Sequence, residues 1–430
     1  MQTFTKDLAH HVGETITIKG WLYNKRSSGP IIFLELRDGS GWVQAVAVKD
    51  KVSAEIWKNV EAVTQESSVI VTGLVSNHPK KENIFEIQLT DFAVIQLAHD
   101  YPIAKKDHGP DFLMENRHLW LRSKNQWAIL RMRDAIITAI NEYLHSEQFI
   151  KVDAPIFTPN ACEGTSTLFA VPYFDLGSAY LSQSGQLYIE AAIASVGRCY
   201  DFGPVFRAEK SKTKRHLTEF WMMDAEAAFV EHDQNLAIQE GLVRHIVRHC
   251  LAHCQEELTI LERDVEKLKK ADAPFTRYTY DQAIEKLHEL GSDIKHGEDL
   301  GNDDEGLLTK DSLVPVFIEK WPKEIKPFYM KLDITDPRRA LNDDLIATDG
   351  GGELIGGSQR EENVDILVER IKKEGLNQAD YEWYLDLRRY GAVPHSGFGI
   401  GLERAVRWIT GVEHIRECIP FPRTIGRLKP

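Results

Sequence analysis

Over roughly the first hundred residues, apolar side chains recur at alternate positions in five short runs. These are Thr15–Tyr23, with Ile16 and Ile18 on one side, then Ile31–Arg37, Trp42–Val48, Ser68–Val75 and Ile84–Leu89. A period of two places every second side chain on one face, so each run predicts a short β-strand. Asp38-Gly39, between the second and third runs, is a tight-hairpin pair. Between the third and fourth runs, Val52, Ile56, Trp57, Val60 and Val63 fall at helical spacing.

Five strands with a helix after the third outline an OB β-barrel over residues 1–98, although many five-stranded β domains would show the same outline. Pro102, Gly109 and Pro110 then break the chain, and 99–122 reads as a linker. From Gln126 to about His145 a helical stripe of Ile129, Leu130, Ile136, Ile137, Ile140 and Leu144 predicts a long amphipathic helix. Residues 123–430 continue as strands and helices without a repeating βαβ rhythm, which predicts an α+β domain around an antiparallel sheet. Within it, Asp233 is placed to cap a second long helix reaching about Lys270. The polar, acidic, Gly-rich stretch Gly291–Ser312 reads as exposed, inside an insertion over about 255–325. At 430 residues the chain is too long for one core, in line with this division.

Composition narrows the class. Hydrophobic residues at 43% and charged residues at 27% give an ordinary globular balance. The N-terminus has no apolar signal-like core and no apolar run reaches membrane-spanning length, so a cytoplasmic chain without a membrane partner is expected. Five scattered cysteines make a disulfide framework improbable. The formal net charge of -13 disfavours a grip on nucleic acid through bulk charge, but leaves room for a local basic groove.

Three segments carry candidate chemistry. In Val205–Glu226, Arg207 and Glu209 flank one alanine, so a strand would place them on the same face. Lys210, Lys212, Lys214, Arg215 and His216 follow, then Phe220. A strand, a basic loop and a returning strand with an aromatic can hold a polyphosphate and a purine, and the same residues fit a solvated basic hairpin. In Gly397–Arg404, alternating glycines allow close approach to the backbone and Arg404 opens a helix. A Rossmann fingerprint fails here, because no βαβ unit follows. In Asp343–Glu361, Asp344 and Glu353 are hard oxygen donors suited to Mg²⁺, Gly356 and Gly357 make room, and Arg360 offers a guanidinium fork; an acidic turn with packing glycines is the plain alternative. His245, His249 and His253, with Cys250 and Cys254, lie one helical turn apart. Without a partner cluster elsewhere in sequence, a His-rich helix face is the better reading than a zinc site.

In this order, and after an OB outline and an amphipathic helix ending in FIKVDAP with Pro155, the segments FRAE through HLTEF and GFGIGLER resemble the three motifs of class II aminoacyl-tRNA synthetases. The subclass resembled is IIb, the aspartyl, asparaginyl and lysyl types. Aspartyl enzymes typically read QSPQ, followed by a lysine that pairs with the substrate carboxylate. This chain reads Gln183-Ser184-Gly185-Gln186, with Ile189 at the lysine position and Glu190 beside it, which is similar to the asparaginyl branch.

The resemblance implies an enzyme that ligates L-asparagine to tRNA(Asn) through an asparaginyl-adenylate, using ATP and Mg²⁺ and working as a cytoplasmic homodimer. It assigns Arg207 to the α-phosphate and His216 and Arg404 to the γ-phosphate. Adenine would lie between Phe220 and Arg404, with Glu209 reading its amino group. Asp344 and Glu353 would hold Mg²⁺, Glu163 and Gln186 the substrate ammonium, and Arg360 and Glu190 the two ends of the carboxamide. In the barrel it places Phe33 against an anticodon base with Arg26 and Gln44 nearby, and Lys25, Lys80 and Lys81 along the phosphates; without the resemblance Phe33 reads as barrel core. The rival readings are an aspartyl-type synthetase that also charges tRNA(Asn), an ATP-dependent asparagine synthetase on the same fold, and a catalytically dead RNA-binding paralogue. Ile189 and Glu190 argue against the first, the barrel against the second, and the full set of motif residues against the third.

Overall fold

The computed structural model describes residues 3–162, 168–210 and 213–430. The chain divides into two compact units, Met1–His108 and Gly109–Pro430. The first is a closed five-stranded barrel of β1 (Thr15–Ser28), β2 (Ile31–Arg37), β3 (Trp42–Val48), β4 (Ser68–Asn77) and β5 (Phe85–Gln96), in the order β1-β2-β3-β5-β4. Helix α1 (Ala54–Ala62) lies between β3 and β4, with Ser53 accepting a hydrogen bond from the Ile56 amide as its N-cap. The alternation does what its period requires. Ile16, Ile18, Ile32, Leu34 and Leu36 enter one core with Val60 and Val71, and Phe33 points the other way, half-buried. Phe33 is therefore not barrel core. The Asp38-Gly39 pair sits in a four-residue connection between Arg37 and Trp42, where Gly39 has φ of 92° and Asp38 accepts from the amides of Ser40 and Gly41.

The second unit begins earlier than the broken sequence predicts. From Gly109 on, the chain belongs to it through α2 (Pro110–Glu115) and α3 (Arg117–Trp120). Fully buried Arg117 donates to the carbonyls of Ile419 and Pro420, so residues 110–122 are packed structure and not linker. Helix α4 (Lys124–Ser146) follows, capped by Ser123. Then come β6 (Ile150–Lys151), β7 (Phe157–Thr158), β8 (Ala170–Pro172), β9 (Ser178–Leu181), α5 (Gln186–Val196), β10 (Arg198–Phe206), β11 (Glu219–Ala228) and α6 (His232–His253).

The predicted second long helix is shorter than expected. Glu231, not Asp233, is its N-cap, in a capping box with Gln234. It ends at His253, and two separate helices, α7 (Gln255–Ile260) and α8 (Val265–Lys270), carry the rest. The chain continues with β12 (Thr276–Thr279), α9 (Tyr280–Glu289), α10 (Asn302–Thr309), β13 (Val316–Glu319), β14 (Asn342–Ala347), β15 (Gly352–Gln359), α11 (Val364–Lys373), α12 (Glu382–Arg389), β16 (His395–Gly401) and α13 (Leu402–Thr410).

Eight strands form one sheet in the order β12-β13-β14-β15-β16-β11-β10-β6, antiparallel except for the β12–β13 and β10–β6 pairs. Two strands of the expected insertion, β12 and β13, are therefore part of the main sheet. The main core joins the stripe of α4 (Ile129, Ile136, Ile140, Leu144) with α6, α13 and the sheet residues Met223, Phe398 and Ile400.

Candidate active site

The three chemistry-bearing segments lie on neighbouring strands β10, β11, β16, β15 and β14, although up to about two hundred residues separate them in sequence. They surround a cavity of about 380 Å³ lined by Gln186, Arg207, Glu209, His216, Phe220, Asp344, Glu353, Arg360 and Arg404 among others. Arg207 and Glu209 stand just past the end of β10, not within a strand. The Arg207 guanidinium carbon lies 5.4 Å from the centroid of the Phe220 ring. Glu209 is 3.6 Å from Nε2 of His216, whose pKa is lowered by burial and by Arg404. Glu163 and Lys212 lie outside the described residues.

The alternating glycines of β16 have a specific cause. Across the strand pair, Gly397 faces Glu226 and Gly399 faces Asp224. A methyl group at Gly397 would collide with the Glu226 carboxylate, and one at Gly399 would stand 2.6 Å from Asp224. The glycines make space for two carboxylates of β11. Asp224 accepts from the Ser184 hydroxyl at 3.0 Å and the Gly185 amide at 2.9 Å, and also lines the cavity. Neither acid is singled out by the sequence reading. Their signal is two acids two positions apart within the otherwise apolar MMDAEAA run.

Behind the cavity wall is a buried charge network. Arg360 donates through Nε to Glu226 at 3.0 Å, through Nη2 to the same carboxylate at 2.5 Å, and through Nη1 to Ser358 Oγ at 2.6 Å. Neither Glu226 nor Glu190 lines the cavity directly. Glu190 Oε2 accepts from Arg388 at 2.6 Å and Tyr384 at 2.7 Å, with His395 Nε2 at 3.2 Å, and its Oε1 accepts from Gln186 at 3.0 Å. Arg360 Nε stands 3.9 Å from Glu190. The sequence reading placed Glu190 against the substrate; the structure places it one layer back, where it fixes the Gln186 amide. With Nε2 of Gln186 committed to Glu190, the amide oxygen is oriented as an acceptor.

Burial pushes the Glu226 carboxyl up to about 7, even though Arg360 pulls it down. Against a burial penalty of its own, Glu190 is held well below the usual carboxylate range by Arg388 and His395. Ile189, at the position of the aspartyl lysine, is fully buried in an apolar cluster with Ile193 and Cys199.

The acidic corner fits a hard cation. Lys326 donates to Asp344 Oδ2 at 2.7 Å and Arg404 to Glu353 Oε2 at 3.2 Å. The other two oxygens, Asp344 Oδ1 and Glu353 Oε1, lie 3.9 and 3.3 Å from where a Cβ of Gly356 would stand. They therefore converge on the space that this glycine leaves open. Burial pushes Asp344 up to about 7, Lys326 opposes this and Glu353 adds to it, so a cation here would favour the ionised pair. Arg215 also lines the cavity, but its guanidinium has partners of its own. It donates to Glu305 at 2.5 Å and Asn302 at 2.9 Å on α10, and to the Gly350 carbonyl. Part of the polar stretch read as exposed thus braces the basic loop.

Residues 109–425 match the class II tRNA synthetases (D, K and N), and residues 16–95 match the OB-fold nucleic acid binding domain. The chain belongs to the class II tRNA synthetases. Among solved structures, the asparaginyl-tRNA synthetase of Pyrococcus horikoshii complexed with asparaginyl-adenylate is 42% identical with a TM-score of 0.96, each chain covered over 100% of its length. The asparaginyl-tRNA synthetase of Entamoeba histolytica is 33% identical with a TM-score of 0.91, covering 100% of this chain and 99% of its own. The aspartyl tRNA synthetase of the same organism is 29% identical with a TM-score of 0.84, covering 100% and 93%.

On the synthetase's barrel, Arg26, Phe33, Gln44, His78 and Lys81 line one concave patch of about 390 Å³. The Arg26 guanidinium lies 4.4 Å from the Phe33 ring centroid, and Gln44 donates to Glu86. Lys25 is not directed there. Its ammonium donates to the carbonyls of Glu61 and Val63, both at 2.7 Å, at the C-terminal end of α1.

Proposed function

We propose that this synthetase ligates L-asparagine to tRNA(Asn) in two steps. The asparagine carboxylate forms a bond to the α-phosphorus of ATP and the bond to pyrophosphate breaks, giving asparaginyl-adenylate. The terminal ribose 3′-hydroxyl of tRNA then attacks the acyl carbon and AMP leaves. The observation that carries the choice of amino acid is the Arg360–Glu226 pair. The guanidinium that lines the cavity is already matched by a carboxylate, and Ile189, where an aspartyl enzyme would carry a lysine, is an apolar side chain buried in a separate cluster. Arg360 supplies a donor to the carboxamide oxygen, and the acidic partner disfavours a second negative charge. A buried charge without compensation costs about 3–5 kcal/mol. At about 1.4 kcal/mol per decade, that is roughly two to four decades against aspartate. The higher identity to the asparaginyl enzymes, 42% and 33%, than to the aspartyl one, 29%, supports the same reading.

In this proposal Arg207 stabilises the charge gathering at the α-phosphate, His216 and Arg404 meet the γ-phosphate, and adenine stacks on Phe220 with Glu209 at its amino group. Asp344 and Glu353 hold Mg²⁺, which supplies neutralisation of the phosphates when bound. The oriented Gln186 oxygen and Asp224 receive the substrate ammonium, with Glu163 the further candidate. Arg26, Phe33 and Gln44 receive the anticodon, where an aromatic platform stacks a base.

Because burial raises the Glu226 carboxyl, selectivity should follow pH. At higher pH Glu226 is ionised and repels an aspartate side chain; as pH falls the carboxyl takes up a proton and the repulsion falls. ATP–pyrophosphate exchange with each amino acid, measured between roughly pH 6 and 8, should show the asparagine-to-aspartate ratio rising with pH. A flat ratio would remove Glu226 from discrimination, and faster exchange with aspartate throughout would reject the asparagine assignment.

A homodimer is supported by apolar side chains at the surface of the β7–β9–β8 sheet and nearby: Ile150, Ile156, Phe157, Phe174 and Leu176 are all exposed. Gel filtration should give twice the mass of one chain; a single-chain mass contradicts it. Among the described residues no helix is long and apolar enough to cross a membrane. Charging of tRNA for translation fits a cytoplasmic location, which fractionation of the cells that make the protein tests: recovery with membranes would contradict it.

A further inference from the structure

The surface shared by α4 and α6 holds a cluster that the synthetase reaction does not use. His245 and His249 lie one turn apart on α6 and present their rings on the same face. The partner that the sequence did not reveal is Glu142, on α4. Its Oε2 is 3.1 Å from His249 Nδ1 and 3.6 Å from His245 Nε2, and the three candidate donor atoms all lie within 4.8 Å of one another. Zinc bonds to nitrogen and oxygen of about 2.0–2.1 Å at tetrahedral angles imply ligand-to-ligand separations of about 3.4 Å. The distances of 3.1 and 3.6 Å fall either side of that edge.

A second observation points the same way. His245 Nε2 is buried and has no hydrogen-bond partner, an imidazole nitrogen removed from water and aimed at the cluster. An orphaned buried nitrogen is costly unless something occupies its lone pair. The His249 side chain is largely buried, whereas Glu142 is half exposed, so an ion has a route in from solvent. Two imidazoles and one carboxylate are a borderline-soft donor set, unlike the all-oxygen pair in the catalytic cavity, and they select a zinc-class ion over magnesium.

We propose that Glu142, His245 and His249 form a binding site for a divalent transition-metal ion of the zinc class that clips α6 to α4. The ligands are Glu142 Oε2, His245 Nε2 and His249 Nδ1, and a water completes the tetrahedron. The two helices meet in the main core beneath the cluster, so the ion joins their outer edges.

The experiment uses the full chain, stripped with EDTA and then kept in excess Mg²⁺ so that the carboxylates of the catalytic cavity are occupied. Titration with ZnCl₂ by calorimetry, and with CoCl₂ followed by visible absorption, should show one equivalent bound per chain with a tetrahedral cobalt spectrum. The H245A/H249A double variant should lose that equivalent while keeping the wild-type rate of ATP–pyrophosphate exchange, which reports that it is folded. Should the double variant fail to fold, Glu142→Gln, which removes the carboxylate and little else, should bind zinc at least tenfold more weakly. Equal zinc uptake by wild type and a folded variant, or no uptake by wild type, overturns the proposal.

Discussion

Replacing Arg207 by alanine should lower asparagine-dependent ATP–pyrophosphate exchange by about 10²–10³-fold, the effect of removing one preorganised donor from a developing oxyanion. Arg207 lines the cavity and leans over the Phe220 ring, at the point where the chain leaves β10. In the proposed role, a guanidinium in that position would meet the α-phosphate from a fixed direction and need no reorganisation as charge grows there. The loss should fall mainly on kcat, because the interaction strengthens towards the transition state. Arg207→Lys should recover only a small part, since a point charge cannot reproduce the planar fork. Exchange at the wild-type rate in Arg207→Ala would end the role proposed for it.

The second large effect concerns stability as much as selectivity. Glu190→Gln leaves Arg388, whose side chain is 1% exposed, facing a neutral amide in place of its carboxylate partner. Breaking a buried pair from one side costs about 3–5 kcal/mol, so the urea midpoint should fall markedly. The substitution also frees the Gln186 amide to rotate, so the asparagine KM should rise. Were Glu190 instead a residue that only touched substrate, the midpoint would be unchanged and selectivity alone would move. An unchanged midpoint would therefore contradict the network described here. The pairing of Glu190 with Arg388, Tyr384 and His395 makes it a positioning residue in this account.

What was legible in the chain was local. The barrel strands follow from side chains alternating about Ile16, Ile18, Ile32, Leu34 and Leu36, and α4 from a stripe that its Ser123 cap introduces. The motif residues Arg207, His216, Phe220, Arg360 and Arg404 do share one cavity. What escaped depends on partners distant in sequence. Glu226 and Arg360 are 134 residues apart, Glu190 and Arg388 are 198 apart, and Arg215 and Glu305 are 90 apart. No periodicity links such positions, because the sheet order brings them together and a local window carries no record of it. Glu190 is legible as a pocket residue from its place beside Ile189, but only the fold shows that it is bonded to Gln186, which lines the cavity. Glu142 escaped for the same reason. It completes a histidine cluster from another helix, so the cluster looked partnerless when read along α6 alone.

The glycines of β16 show the limit from the other side. Their alternation announces a close approach to the backbone, which the sequence does establish. What approaches is a pair of carboxylates on β11, and that follows only from the register Gly397 to Glu226 and Gly399 to Asp224.

The choice of asparagine stands on Arg360, a cavity-lining guanidinium already balanced by the Glu226 carboxylate. The direct test is a single charging reaction containing the purified protein, tRNA(Asn), ATP with Mg²⁺, and equal amounts of asparagine and aspartate at a pH above 7. The ester-linked amino acid is then released and identified by mass. The account predicts asparagine on the tRNA with aspartate at most about one part in a hundred. Aspartate as the main acyl group would contradict it.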